Sequence, residues 1–398
     1  MKRAMNLIKS LSIVMIFVVI SLGVAEFGLR LIFPRQVSVS VNVLDHSDPY
    51  LPKIAEGEYR DDKLDVVASF DSDGFRRNPF ECQNRQGIKR LLLVGDSNIA
   101  GMFLSDNDSL GSQITKLSLA SSECIHVDSF GVPGFGPDQT YKAIESITKD
   151  NEYDFVVFHI FADNDLGDLV RNRSYQYNKI QDIGYCYPKR SFLDSLVFAR
   201  AVRKAIYLAS GYFVLWNEVV SSLGGNNNCE MTSYPSTGSF AEIQFERARI
   251  EKEGFLDGRR QIYMGDRYDI EFACHTDKQL DSYVREALTT ISISMKQLST
   301  DRGFEFIYLI QPSEFDTTNN HADDSSSIIQ MCGAEYVPTN LRDYFVDALE
   351  GATILDIYSA FDGCNECYFT EEELGGDNHW SAHGVQKVAE LLVKTIGR

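Results

Sequence analysis

Gly95-Asp96-Ser97-Asn98 follows directly on the apolar run Arg90–Val94. A serine just past the carboxyl end of a strand, at a tight turn that opens a helix, has the placement of an activated nucleophile. The glycine permits the turn, the hydroxyl projects from the sheet edge, and the first helical N–H groups add positive potential. The same residues also serve as a plain helix N-cap. Near the C-terminus stands Asp377-Asn378-His379-Trp380, followed by Ser381 and His383. A carboxylate two residues from an imidazole can fix the ring's tautomer and stabilise the imidazolium as it takes a serine proton. Asp377, His379 and His383 also have the types of metal ligands. The glutamate of an H-E-x-x-H pair is absent, however, and Ser381 reads as an N-cap between the two histidines, so no metal and no other cofactor is expected.

Two further loops carry groups of the right kind. Gly131-Val132-Pro133-Gly134-Phe135-Gly136 follows the run Ile125–Ser129. Glycines after a strand bring bare backbone close to a ligand, and an N–H there can bind an oxyanion; a tight βα loop alone would use the same residues. The run Asp154–His159 leads to Phe161-Ala162-Asp163-Asn164-Asp165. The Asn164 amide can add a third donor, or the Asn and Asp side chains can simply turn the chain and cap the next helix.

These loops need a scaffold. Arg90–Val94, Ile125–Ser129, Asp154–His159, Phe304–Ile310 and Thr353–Asp356 are short, β-branched and aromatic runs of the kind covered on both faces. Helical patterns separate them. The clearest starts at a Thr276-x-x-Gln279 capping box and keeps Leu280, Val284, Leu288, Ile291, Met295 and Leu298 on one face up to Arg302-Gly303. Another begins after Ser381, with Val385, Val388, Ala389, Leu392 and Ile396 on one face. Alternating strand and helix predicts an α/β fold, a doubly wound parallel sheet of flavodoxin type with five strands, its site beyond their carboxyl ends. The long stretch between the third and fourth strands is too long for a bare loop and is read as a helical insertion at about residues 168–275.

Composition sets the class and compartment. The 398 residues are 44% apolar and 24% charged, which suits a globular chain and excludes a polytopic membrane protein. A net charge of −19 repels phosphates and argues against nucleic acid as a partner. Lys2, Arg3 and Lys9 precede an uncharged run from Ser10 to Ala25, and apolar residues resume beyond Glu26 before Pro34. Residues 1–35 are therefore read as a signal-anchor segment with a transmembrane helix near 7–25, the basic end cytoplasmic and the rest exported; cleavage after Ala25 is the alternative. Residues 36–88 are read as a linker leading into a catalytic domain at 89–398. The eight cysteines form an even set, as expected in an oxidising compartment. Cys364-x-x-Cys367 has no second C-x-x-C to complete a zinc site and is expected to close on itself.

Taken in order, the four loops resemble the blocks of the SGNH hydrolases, also called GDSL-type esterases and lipases, from about Arg90 to Arg398. The resemblance implies Ser97 as nucleophile, an oxyanion hole from Ser97, Gly134 and Asn164, and Asp377 and His379 completing a triad. Three departures stand out. Ala162 replaces the usual glycine of the third block, Asp377 and His379 are one residue apart instead of two, and Asn98 occupies the position after the serine where leucine is common. The last is expected to bear on subfamily more than on chemistry. Membrane-anchored relatives are associated with acyl groups on exported polysaccharide, so the resemblance implies an ester hydrolase or acetyltransferase acting on acylated carbohydrate. A lipid or small-ester hydrolase and a catalytically silent scaffold module are the alternatives. Activity should fall in acid, as an ordinary imidazole takes up its proton near pH ~6.5.

Overall fold

The computed structural model describes residues 44–45, 51–61, 63–82, 87–120, 124–162, 164–172, 175–176, 179–180, 278–312, 340–349, 352–370 and 379–397, with isolated positions at 21, 23, 317 and 373. The chain divides into two compact units, one of residues 1–42 and 186–259, the other of residues 43–185 and 260–398. All but two of the described positions belong to the second unit.

Its centre is a five-stranded sheet. The strands are β1 (Lys89–Gly95), β2 (Ile125–Gly131), β3 (Phe155–Phe161), β4 (Glu305–Gln311) and β5 (Thr353–Asp356). They lie in the order β2-β1-β3-β4-β5 and every pairing is parallel. This is the flavodoxin-type order, whose winding reverses between β1 and β3 and opens a crevice at their carboxyl ends. Leu91 to Val94 and Val156 to Phe158 are wholly buried, as expected of strands with helices on both faces.

The helices that accompany the sheet include α1 (Ser97–Ala100), α2 (Leu110–Ser118), α3 (Pro137–Asp150), α4 (Asp165–Asn172), α5 (Lys278–Arg302) and α6 (Asn340–Ala348) between strands, and α7 (Ala382–Ile396) after the last. Helix α7 begins where its sequence signal placed it: the Ser381 hydroxyl accepts from the Gly384 N–H at 3.2 Å. Its inner face, Val385, Val388, Ala389, Leu392 and Ile396, is buried in the core cluster that also holds Leu91, Leu93, Ile125, Val127, Val157 and Leu309 of the sheet. Helix α5 buries Val284, Leu288, Ile291 and Met295 as its periodicity predicts, while its capping box at Thr276 lies outside the described residues.

Part of the stretch read as a linker is regular. Gly57–Asp61 and Val66–Phe70 pair as an antiparallel ribbon. The buried Arg76 then ties this ribbon to the domain: its backbone N–H donates to Ser129 and its guanidinium donates to the Leu104 carbonyl and pairs with Asp106. The Cys82–Cys124 disulfide closes the same region. Cys364 and Cys367 bond to each other as expected, and the other four cysteines lie outside the described residues. The predicted insertion and membrane anchor also lie largely outside them. Among the described residues no helix is long and apolar enough to cross a membrane.

Candidate active site

Strand β1 ends at Gly95, and Ser97 opens α1 on the next step. Asp96 caps the helix by accepting from the Asn98 N–H at 2.9 Å, and Gly101, with φ 57°, ends it by donating to the Ser97 carbonyl. Ser97 thus stands on a strand–turn–helix corner, as its sequence suggested. The helix is a single turn, so the positive potential at Ser97 comes from its own first N–H groups and not from a long dipole. Gly95 is demanded by packing: a Cβ there would come within 2.7 Å of the His159 Cβ.

The loop after β2 turns at Pro133-Gly134. Phe135 N–H donates to the Val132 carbonyl at 3.1 Å, and Gly134 has φ +80°. This is the arrangement of a type II turn, with proline second and glycine third, and the third residue's N–H takes no part in the turn's own hydrogen bond. Gly134 is exposed, with open space where a side chain would stand.

Beyond β3, Asn164 sits before α4, where its backbone carbonyl accepts from the Asp168 N–H at 2.8 Å. The side chain does not do the capping, for its oxygen takes no hydrogen bond among the described residues. Asp165 fixes the loop from beneath by accepting from the Phe161 N–H at 2.9 Å, and Ala162 donates to the Gln311 carbonyl. Ala162 is buried without strain, so the missing glycine leaves this loop intact.

His379 lies in extended chain just before α7. Its ring meets Phe103 edge-on at 5.0 Å, and its carbonyl accepts from the Phe369 N–H. The next residue carries a contact between the two loops. Trp380 N–H donates to the Asn98 side-chain oxygen at 3.3 Å, joining the residue after His379 to the residue after Ser97. The chain is similar in structure to SGNH hydrolases.

A protein from Slackia heliotrinireducens described as "a putative SGNH hydrolase" shares 10% identity, with 78% of this chain and 100% of that one covered at a TM-score of 0.33. The lipase/acylhydrolase from Enterococcus faecalis shares 10%, covering 77% and 95% at 0.31. The acetyl xylan esterase Est2A from Butyrivibrio proteoclasticus shares 8%, covering 82% and 67% at 0.30. No family model and no curated protein matches the sequence.

Of the site residues expected from sequence, Ser97, Gly134 and Asn164 follow the carboxyl ends of β1, β2 and β3, and the residue after His379 is hydrogen-bonded to the residue after Ser97. Asp377 lies outside the described residues. His383 stands in the first turn of α7, and its ring nitrogen lies within 4.8 Å of the Cys364 and Cys367 sulfurs, which are bonded to each other.

Sequence reasoning missed the layer beneath. His159, in β3, is 1% exposed and lies 3.3 Å from Asp96 through Nδ1 and 2.8 Å from the Gln311 side-chain oxygen through Nε2. Burial pushes the Asp96 carboxyl up, but the charge and hydrogen bond of His159, the Asn98 N–H and the charge of His379 outweigh it and hold Asp96 below the usual range. Burial, then repulsion from Asp96 and Asp168, drives Asp165 well above that range, so the two buried carboxyls are shifted in opposite directions. A histidine inside an otherwise apolar strand was the available signal.

Proposed function

We propose that this chain is a serine ester hydrolase of SGNH type, exported and held to the membrane by its N-terminal segment. The Trp380–Asn98 bond supports this reading most directly, because it draws the serine and histidine loops to one edge of the sheet. Ser97 Oγ attacks an ester carbonyl and passes its proton to His379. The carbonyl carbon becomes tetrahedral, and its oxygen is held by the N–H groups of Ser97 and Gly134 and the Asn164 amide. His379 returns the proton to the departing alcohol, leaving an acyl-serine. Water, or an acceptor hydroxyl in a transferase, then attacks the acyl group by the reverse sequence. Asp377 orients His379. Acetyl groups on exported or cell-envelope polysaccharide are the substrate class that fits an anchored, extracytoplasmic enzyme with no cofactor; lipid or small esters are second.

The test uses the purified chain, a fluorophosphonate probe and p-nitrophenyl esters. The expected result is covalent labelling and faster turnover of acetate than of long-chain esters, both abolished in Ser97→Ala with thermal melting unchanged. A folded wild-type protein that is neither labelled nor active would leave a binding module. Preference for long acyl chains would move the substrate to lipid.

A further inference from the structure

We propose that His159 is a positioning residue for the serine–histidine pair, acting from below the sheet edge; this rests on the esterase reading of Ser97 and His379. Its ring contacts chain neighbours of both the nucleophile and the base. Nδ1 lies 3.3 Å from Asp96, the residue before Ser97. The ring meets Trp380, the residue after His379, edge-on at 5.3 Å. Nε2 is anchored 2.8 Å from Gln311 on the neighbouring strand. The Cβ of His159 also occupies the space that a side chain at Gly95 would need. One rigid, buried imidazole therefore contacts Gly95, Asp96 and Trp380 and does not itself reach the substrate.

The energetic argument concerns polarity in a dry place. Asp96 is 2% exposed, and its one contacting oxygen, Oδ1, faces both the Asn98 N–H and His159. A buried carboxylate is tolerated only with such partners. The charged and titratable groups around this layer are Asp96 itself, Asp165 and Asp168 of α4, Asp138 of α3, and His379. Without His159, the buried Asp96 loses the ring nitrogen that faces its Oδ1 at 3.3 Å, in a surround that holds three further carboxyls among the described residues. The turn carrying Ser97 and the Trp380 indole would then lose the surface that sets their spacing, and misplacement on the ångström scale costs a serine hydrolase about 10²-fold in rate.

The test compares the full chain with its His159→Leu, His159→Asn and His159→Gln variants. Asparagine restores a donor where Nδ1 stood, whereas glutamine reaches towards Gln311 and not Asp96. The expected result for His159→Leu is a loss of about 10²-fold in kcat for p-nitrophenyl acetate and in fluorophosphonate labelling rate, with KM within about twofold; His159→Asn regains at least about tenfold. The ring carbon–proton NMR signal of His379 should move in His159→Leu and return in His159→Asn. An unmoved His379 signal with kcat within about threefold of wild type overturns the proposal. If His159→Leu does not fold, wild-type kcat in His159→Gln overturns it equally. If the wild type itself is inert towards esters and probe, the esterase reading falls, and the His379 signal alone decides whether His159 positions that ring.

Discussion

The Asn98 side chain accepts a hydrogen bond from the Trp380 backbone N–H at 3.3 Å, across 282 positions of sequence. It ties the first turn after β1 to the extended chain that carries His379 into α7. Leucine, the commoner residue after an SGNH-type serine, has no oxygen to offer. Asn98 thus has a structural contact here that leucine could not make.

Asn98→Leu should separate the two loops without unfolding the domain. The Trp380 N–H, left without its partner in a buried place, costs about 1–3 kcal/mol of stability. Turnover should fall about tenfold as the His379 loop gains freedom. Urea unfolding and steady-state kinetics on p-nitrophenyl acetate measure the two effects. Unchanged kinetics would show that the tether is structural only.

Asn164→Ala should lower kcat by about 10²–10³-fold, the usual loss of one oxyanion donor, with little change in KM. The backbone carbonyl of Asn164 receives the first bond of α4 and the side chain does not. Helix stability should accordingly be spared, and a large drop in melting temperature would contradict this division of labour.

The two disulfides should have opposite signatures. Cys82–Cys124 spans 42 positions and on chain-entropy grounds contributes about 4 kcal/mol; the three-position Cys364–Cys367 loop contributes about 2 kcal/mol. The short loop, however, holds the histidine segment. The Cys367 carbonyl accepts from the Ser381 N–H at 2.9 Å, and Tyr368 bridges Trp380. Replacing Cys82 and Cys124 by serine should lower stability more than kcat, and replacing Cys364 and Cys367 should do the reverse. Paired unfolding and kinetic measurements decide.

Asp165 predicts a particular pH dependence of stability. Its native-state carboxyl holds a proton well above the ordinary range, through burial and then repulsion from Asp96 and Asp168. The stability it lends is fully present below the unfolded value of ~3.9 and is lost as pH rises towards its raised native value. Asp96, held low, works in the opposite sense in acid. Asp165→Asn keeps an oxygen for the Phe161 N–H and removes the titration. Its unfolding free energy should therefore decline less than that of wild type between pH 5 and pH 8. Equal slopes would show that Asp165 is ionised in the folded protein.

The strands, their parallel class, α7 with its Ser381 cap, and the loops bearing Ser97, Gly134, Asn164 and His379 were all legible in the sequence. Each is a local property: apolar runs of strand length, a glycine-permitted turn, a capping hydroxyl followed by a 3.6-residue stripe. The closure of Cys364 on Cys367 was legible for the same reason, since so few residues separate them. The ribbon at Gly57–Asp61 and Val66–Phe70 was not. Its first strand alternates between exposed and half-buried residues, its second buries only Ala68–Phe70, and the ribbon is held by Arg76 and Asp106, which sit on different parts of the chain.

What belonged to tertiary structure alone was the joining. Asn98 could be matched with Trp380, and His159 with Asp96 and Gln311, only once strand order had put β1 between β2 and β3 and brought the last helix back beside the first turn. A hydrogen bond or buried ion pair between distant residues leaves no periodic mark, because its partner is chosen by chain packing and not by spacing. Sequence named the groups that could do chemistry; burial and topology decided which of them share one dry space, and so which charges there survive.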